Sequence, residues 1–286
     1  MTRAPLTVPG LADMKARGEQ IVMVTAYDFP TGRLADRAGV DLVLVGDSGA
    51  QVVLGRESTV AISLDEMIML SAAVRRGVSR ALLVCDVPFG STELSDAQAV
   101  ETAIRFVKEA GADAVKIEGA TPDRLSRIRA ITAAGIPVVG HIGLTPQTAT
   151  ALGGFRAQGR TVETATRFVT EALAVEEAGA VALVAEAVPS EIAALACAEV
   201  RIPMIGIGAG PADGQVLVFH DLLGITEGHI PKFVKRFATI GDDIVAGLSA
   251  YAEAVRGGSF PGDEHQYPVS PEVVEAARAA LAQRNA

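Results

Sequence analysis

Short apolar runs alternate along the chain with longer amphipathic stretches. The runs at 21–25, 42–45, 81–85, 114–117, 137–139, 181–185 and 203–205 are each too short for a helix and rich in aliphatic or β-branched residues. Each therefore reads as a strand buried on both faces. An eighth strand is placed at 216–219. The helices between them announce their starts. Ser63 with Glu66 three residues later forms a capping box, Ser95 with Gln98 repeats the cap, and Thr121-Pro122 reads as an N-cap with proline at the first helical position. Ala-Gly occurs at 38–39, 110–111, 134–135 and 178–179, each time just before a strand. Glycine suits the left-handed position that closes a helix. Serial βα units of this kind predict an α/β protein, a (β/α)8 TIM barrel, with an open doubly wound sheet as the structural alternative.

Two stretches, 49–61 and 144–160, are too long for plain connections and follow the second and fifth strands, where barrel loops do or cover chemistry. The chain from Pro231 is expected to be helical to about Val255. A linker with Gly257, Gly258, Pro261 and Gly262 and a helix near 272–283 follow. We expect a single barrel domain over 1–265 and a helical tail over 266–286. The chain has 286 residues and a formal net charge of −9. That charge excludes a globally basic nucleic-acid binder and disfavours anionic membrane. Two cysteines, Cys85 and Cys197, exclude a disulfide framework. No apolar stretch approaches the roughly 18–20 residues of a membrane span, and the first twenty residues lack the apolar core of a signal peptide. The expected setting is a reducing, cytoplasmic compartment.

The informative feature is what ends each strand. Gly46-Asp47-Ser48 follows the second and Asp86 the third; Lys116 and Glu118 share a face of the fourth; His141 ends the fifth and Glu186 the sixth. In a barrel these ends converge on one mouth. Any one of them alone has an ordinary explanation: a turn-forming aspartate, a solvated lysine, a hydrogen-bonded structural histidine. Glu186, inside Ala185-Glu186-Ala187, is harder to dismiss, because a carboxylate in an apolar strand is costly unless paired or functional. Four carboxylates in a small cavity need a cation, protonation or wide separation. A hard divalent cation such as Mg²⁺ is the simplest answer, with Lys116 offsetting charge and pairing with an anionic substrate. Gly206–Gly210 lacks the third glycine of a dinucleotide fingerprint and reads as a tight turn. Asp213, Asp221 and His229 have no spacing that singles them out.

The ordered set Thr25-Ala26-Tyr27-Asp28, Val45-Gly46-Asp47-Ser48, Asp86-Val87-Pro88-Phe89, Val115-Lys116-Ile117-Glu118-Gly119, Gly140-His141-Ile142-Gly143-Leu144-Thr145-Pro146-Gln147, Gly206–Gly210, Gly228-His229-Ile230-Pro231-Lys232-Phe233 and Phe260-Pro261-Gly262-Asp263-Glu264-His265 closely resembles the ketopantoate hydroxymethyltransferase family. The resemblance spans roughly residues 10 to 265. It implies a one-carbon transfer from 5,10-methylenetetrahydrofolate to 3-methyl-2-oxobutanoate, giving 2-dehydropantoate on the way to pantothenate and coenzyme A. It also implies Mg²⁺ and a homodecamer. By motif, Asp47 and Asp86 would bind the metal with Glu118 in its shell. Ser48 and Lys116 would hold the oxo-acid together with the metal-binding aspartates, His141 would line the site, and Glu186 would accept the proton, its pKa raised by apolar surroundings. Two other readings compete with it. A carbon–carbon lyase like the phosphoenolpyruvate mutase/isocitrate lyase group would carry paired aspartates after the third strand and a cysteine in its catalytic loop, and neither is present. A non-catalytic metabolite-binding barrel would not need the carboxylates.

Overall fold

The structure, a computed structural model, describes residues 4–151, 153–228 and 230–284. It separates into two compact units, Met1–Ala238 and Thr239–Ala286. The sequence reading places its own division, between barrel and tail, at 265/266. In the first unit the elements run α1 (Val8–Ala16), β1 (Ile21–Thr25), α2 (Phe29–Ala38), β2 (Leu42–Val45), α3 (Gly49–Val52), α4 (Leu64–Gly77), β3 (Leu82–Asp86), α5 (Asp96–Arg105), β4 (Ala114–Glu118), α6 (Pro122–Ala133), β5 (Val138–Gly143), α7 (Val162–Glu177), β6 (Ala182–Glu186), α8 (Ser190–Glu199), β7 (Met204–Ile207), β8 (Gly214–Leu217) and α9 (Phe219–Leu222). All eight strands are parallel and close in sequence order, with β8 pairing back onto β1. The predicted (β/α)8 barrel is therefore the observed fold.

The local signals act as expected. Ser63 and Glu66 form a reciprocal capping box at α4, Ser95 accepts from the Gln98 amide, and Thr121 caps α6. Gly39, Gly111, Gly135 and Gly179 all take positive φ where helix gives way to strand. Asp36 on α2 accepts from the Ser79 hydroxyl and from the Ser79, Arg80 and Ala81 amides, fixing α2 to the entry of β3. The amino-terminal end of the barrel is closed by α1. Leu11 and Met14 join the interior side chains of the strands, and Lys15 Nζ bonds the Cys197 and Ile202 carbonyls and Asp213.

Three expectations are corrected. The eighth strand is 214–217, not 216–219, because Gly214 lies tight against Ile21 in the closing pair. The fifth continues past its apolar run to Gly143, since His141 points inward. The chain after Pro231 is not helical until 240. Its apolar Pro231, Phe233 and Val234 instead face the barrel mouth. His229 lies outside the described residues. In the second unit α10 (Ile240–Arg256) and α11 (Pro271–Arg284) have no buried residue, and α10 shows an exposed apolar stripe of Ile244, Leu248, Tyr251 and Val255. Among the described residues no helix is long and apolar enough to cross a membrane.

The top of β5 carries one position that tolerates only glycine. Gly143 has φ 92°, and a Cβ there would sit 2.4 Å from the Glu186 carbonyl oxygen of β6. Gly143→Ala should destabilise the fold by about 2 kcal/mol or more, from the left-handed backbone and the clash together. A urea denaturation midpoint equal to that of the parent would show that the joint yields freely.

Candidate active site

Alternation along the strands builds the site. Val84, Val139 and Val184 belong to the apolar barrel interior, and two residues beyond each comes Asp86, His141 and Glu186. Lys116 and Glu118 rise above Ala114 in the same way. The register completes the juxtaposition: Asp86 is opposite Lys116, Glu118 opposite His141, and Gly143 opposite Glu186. Asp47 and Ser48 arrive from the turn after β2. All seven residues singled out by the sequence line one cavity of about 220 Å³.

The contacts form a chain across this cavity. Lys116 Nζ lies 2.6 Å from Asp86 Oδ1, 3.1 Å from His141 Nδ1 and 3.8 Å from Glu118 Oε1. His141 Nδ1 is 3.3 Å from Glu118 Oε1, and its Nε2 is 3.2 Å from Glu186 Oε2. Asp86 Oδ2 accepts the Asp47 amide at 3.0 Å. Ser48 Oγ shares a 2.8 Å hydrogen bond with the buried Tyr27 hydroxyl. Lys116, Asp86, Glu118, His141 and Asp47 are all buried, whereas Glu186 is partly exposed, its side chain 15% accessible. Glu186 therefore keeps contact with solvent, and the apolar surroundings expected for it are replaced in part by an open cavity. It stands at the neck of the cavity with an imidazole beside it.

Burial sets the protonation pattern. Asp47 is pushed up to about 8, first by loss of water and then by Asp86 and Glu118. Asp86 also rises, because burial outweighs the favourable Lys116 contact. Glu118 is buried too, yet His141, Lys116 and the Gln147 amide hold it below the usual carboxylate range. For His141, burial and Lys116 both act downward, but Glu118 and Glu186 outweigh them and hold it at about 9. Lys116 moves upward despite burial, held by Asp86, Glu118 and Asp47.

Sequence reasoning missed several contributors. Gln147, on the short turn after β5, donates from Nε2 to Asp47 Oδ2 (3.0 Å) and to the Val87 carbonyl (2.9 Å), while its backbone amide donates to Glu118 Oε2 (3.0 Å). It ties two carboxylates from different strands to one loop. Only its place in the motif after β5 could have drawn notice to it. Asp221, set aside on spacing, lines the cavity and accepts from the Thr226 hydroxyl. Phe233 packs its ring where a side chain on Gly208 would stand, 2.6 Å from the position of a Cβ there. That close packing, with φ 63°, explains the glycine after β7. Ala187, just beyond Glu186, holds φ 50°. A non-glycine residue in that region stores about 1 kcal/mol or more of strain. Asp213 belongs to the opposite end of the barrel, and Cys85 is core, its thiol pushed up to about 12 by burial.

The donor set suits a hard cation. Asp47, Asp86, Glu118, Glu186 and Asp221 line the cavity, against Lys116 and His141 as the cations. Asp86 Oδ1 has no aligned hydrogen bond even with Lys116 beside it. Among the described residues no group of three or more His, Cys, Asp or Glu forms a ready-made metal cage. Mg²⁺ does not need one. It binds through one or two carboxylates and keeps water or substrate oxygens in its other positions.

Comparison with known proteins adds an independent finding. The ketopantoate hydroxymethyltransferase family matches residues 5–263. The 3-methyl-2-oxobutanoate hydroxymethyltransferase of Moorella thermoacetica is 52% identical over 266 residues, which cover 93% of this chain and 98% of that one. Its namesake from Heliobacterium modesticaldum is 49% identical over 94% of this chain and 97% of that one. Among solved structures, a phosphonopyruvate hydrolase superposes with a TM-score of 0.61 at 14% identity, covering 98% of this chain and 97% of that one. A 2,3-dimethylmalate lyase of the PEP mutase/isocitrate lyase superfamily gives 0.59 at 17%, covering 99% and 100%. At that identity the likeness shows a shared barrel and nothing of the chemistry. The family match and the close relatives lead to one conclusion: this chain belongs to the ketopantoate hydroxymethyltransferase family.

Proposed function

We propose that the chain catalyses hydroxymethyl transfer from 5,10-methylenetetrahydrofolate to C3 of 3-methyl-2-oxobutanoate, with Mg²⁺ bound by Asp47 and Asp86. Overall, the C3 hydrogen is replaced by CH₂OH, water supplies the hydroxyl oxygen and tetrahydrofolate leaves. The observation that carries this reading is the mixed lining of the 220 Å³ cavity. Charged groups share it with Leu44, Val184, Ile207 and Val216, which offer apolar surface to a branched alkyl group.

The residues take distinct parts. Lys116 and Ser48 hold the oxo-acid's anionic end, and Tyr27 fixes the Ser48 hydroxyl. A bound Mg²⁺ would polarise the keto oxygen and stabilise charge developing as C3 loses its proton, an effect of several kcal/mol. Glu186, on the neck and away from the Asp47/Asp86 pair, takes the C3 proton. His141 Nε2 lies 3.2 Å from its carboxylate and places positive charge beside it. Glu118, already engaged by Lys116, His141 and Gln147, acts from outside the metal's direct ligands. The exposed stripe on α10 supports assembly of several copies, which in this reading is a homodecamer. The net charge and the absence of a long apolar helix among the described residues support a cytoplasmic setting.

Glu186→Gln should retain oxo-acid binding and slow deuterium exchange at C3 by roughly 10²–10⁴-fold, the usual contribution of a positioned base. Exchange at the parental rate, followed by proton NMR, would remove Glu186 from the role. The raised Asp47 pKa gives a second expectation. Below about 8 the folded protein holds a proton that the unfolded chain releases near the ordinary carboxyl value. That proton's contribution to stability is present in acid and lost as pH climbs to about 8. Cation binding must displace the proton. Mg²⁺ affinity by calorimetry should therefore strengthen up to about tenfold per pH unit between about 6 and 8. The rise in melting temperature on adding Mg²⁺ should likewise be larger at the upper end of that range. An affinity flat across the range would exclude Asp47 as a ligand.

A further inference from the structure

A second cavity opens from the neck of the first. It is a groove of about 1400 Å³ that shares Ser48, Phe155, Glu186, Asp221 and Phe233 with the inner chamber. The inner chamber fits a small oxo-acid and nothing much larger. A bulky second reactant that must reach the same neck has only the groove to lie in. The groove's lining combines two aromatic rings, shared with the inner chamber, with two cations that line the groove alone. Phe155 and Phe233 stand 67% and 38% exposed, and each is adjacent in sequence to a basic residue, Arg156 and Lys232, that also lines the groove. Among the described residues no carboxylate lies within ion-pair distance of either cation.

The charge around this mouth runs against the rest of the molecule. The chain carries 34 acidic residues to 25 basic ones. The two segments that supply the rim, 144–160 and 228–238, hold Arg156, Arg160, Lys232, Lys235 and Arg236 and no Asp or Glu at all. A local positive rim beside a strongly anionic inner chamber concentrates an anionic ligand at the groove and fixes which end of it enters. We propose that Arg156 and Lys232 bind the glutamate tail of the folate donor, with the Phe155 and Phe233 rings against its planar heterocycle. The rim would then distinguish donors by the number of glutamates they carry. The inference rests on the hydroxymethyl-transfer reading above.

The test compares monoglutamyl and pentaglutamyl 5,10-methylenetetrahydrofolate as donors. Wild-type protein should show a lower KM for the longer tail, with the advantage shrinking as salt is raised. In the Arg156→Ala/Lys232→Ala double variant the pentaglutamyl KM should rise roughly tenfold, against two- to threefold or less for the monoglutamyl donor. Arg156→Lys with Lys232→Arg should restore the discrimination, which excludes misfolding as the cause. A wild-type KM independent of tail length, or a variant KM that rises equally for both donors, overturns the tail site. Normal transfer in that case leaves the functional reading standing. Exchange at C3 without transfer from either donor overturns both.

Discussion

Lys116 is an ammonium group taken almost wholly out of water, and the site is organised by that fact. Removing an ion from water costs several kcal/mol even after relaxation, and only close opposite charge and good hydrogen bonds offset it. Asp86 and Glu118 supply the charge, and His141 extends the chain to Glu186. The same burial that makes Lys116 depend on its partners raises Asp47 and Asp86 above ordinary carboxyl behaviour. The cluster is therefore self-consistent but short of positive charge. That shortage is what Mg²⁺ and the oxygens of an oxo-acid would make good in the proposed function.

The barrel separates this polarised end from a conventional one. At the amino-terminal face, α1 inserts Leu11 and Met14, and Lys15 locks onto Asp213 and two carbonyls, so packing and a satisfied ion pair close the bottom. At the carboxyl face the backbone itself is less relaxed. Gly143 takes positive φ tight against the Glu186 carbonyl, and Ala187, the residue after Glu186, does so without being glycine. Such a division of labour, stability below and chemistry above, follows from every strand of a parallel barrel pointing its carboxyl end the same way.

Most of the candidate site was legible because it sits in regular structure. Asp86, Lys116, His141 and Glu186 are strand residues two beyond buried apolar ones, Glu118 is two beyond Lys116 on the same strand, and Asp47 and Ser48 follow Gly46 at the end of a strand. Gln147, Asp221 and Phe233 escaped for a common reason. They come from irregular segments, whose direction is set by contacts with distant parts of the chain. Gln147 is useful only because Asp47, Val87 and Glu118 meet around it. The stretch after Pro231 was misread as helix because its apolar residues, packed over the mouth, give a spacing that periodicity cannot distinguish from a helical face. Glu186 was placed correctly in the chain but not in its surroundings. Flanking alanines say nothing about the cavity on the other side of a strand.

The amino-acid sequence by itself determined where the capped helices start and where seven of the eight strands lie, since capping residues, left-handed glycines and apolar runs act over a few residues. It also determined that polar groups would stand at successive strand ends. Tertiary structure alone decided that β8 would close onto β1, which strand ends would face one another, how much water each carboxylate would keep, and that two loops with reversed charge would border a groove leading to Glu186. These depend on register and long-range packing, and the energy that fixes them is shared among residues far apart in the chain.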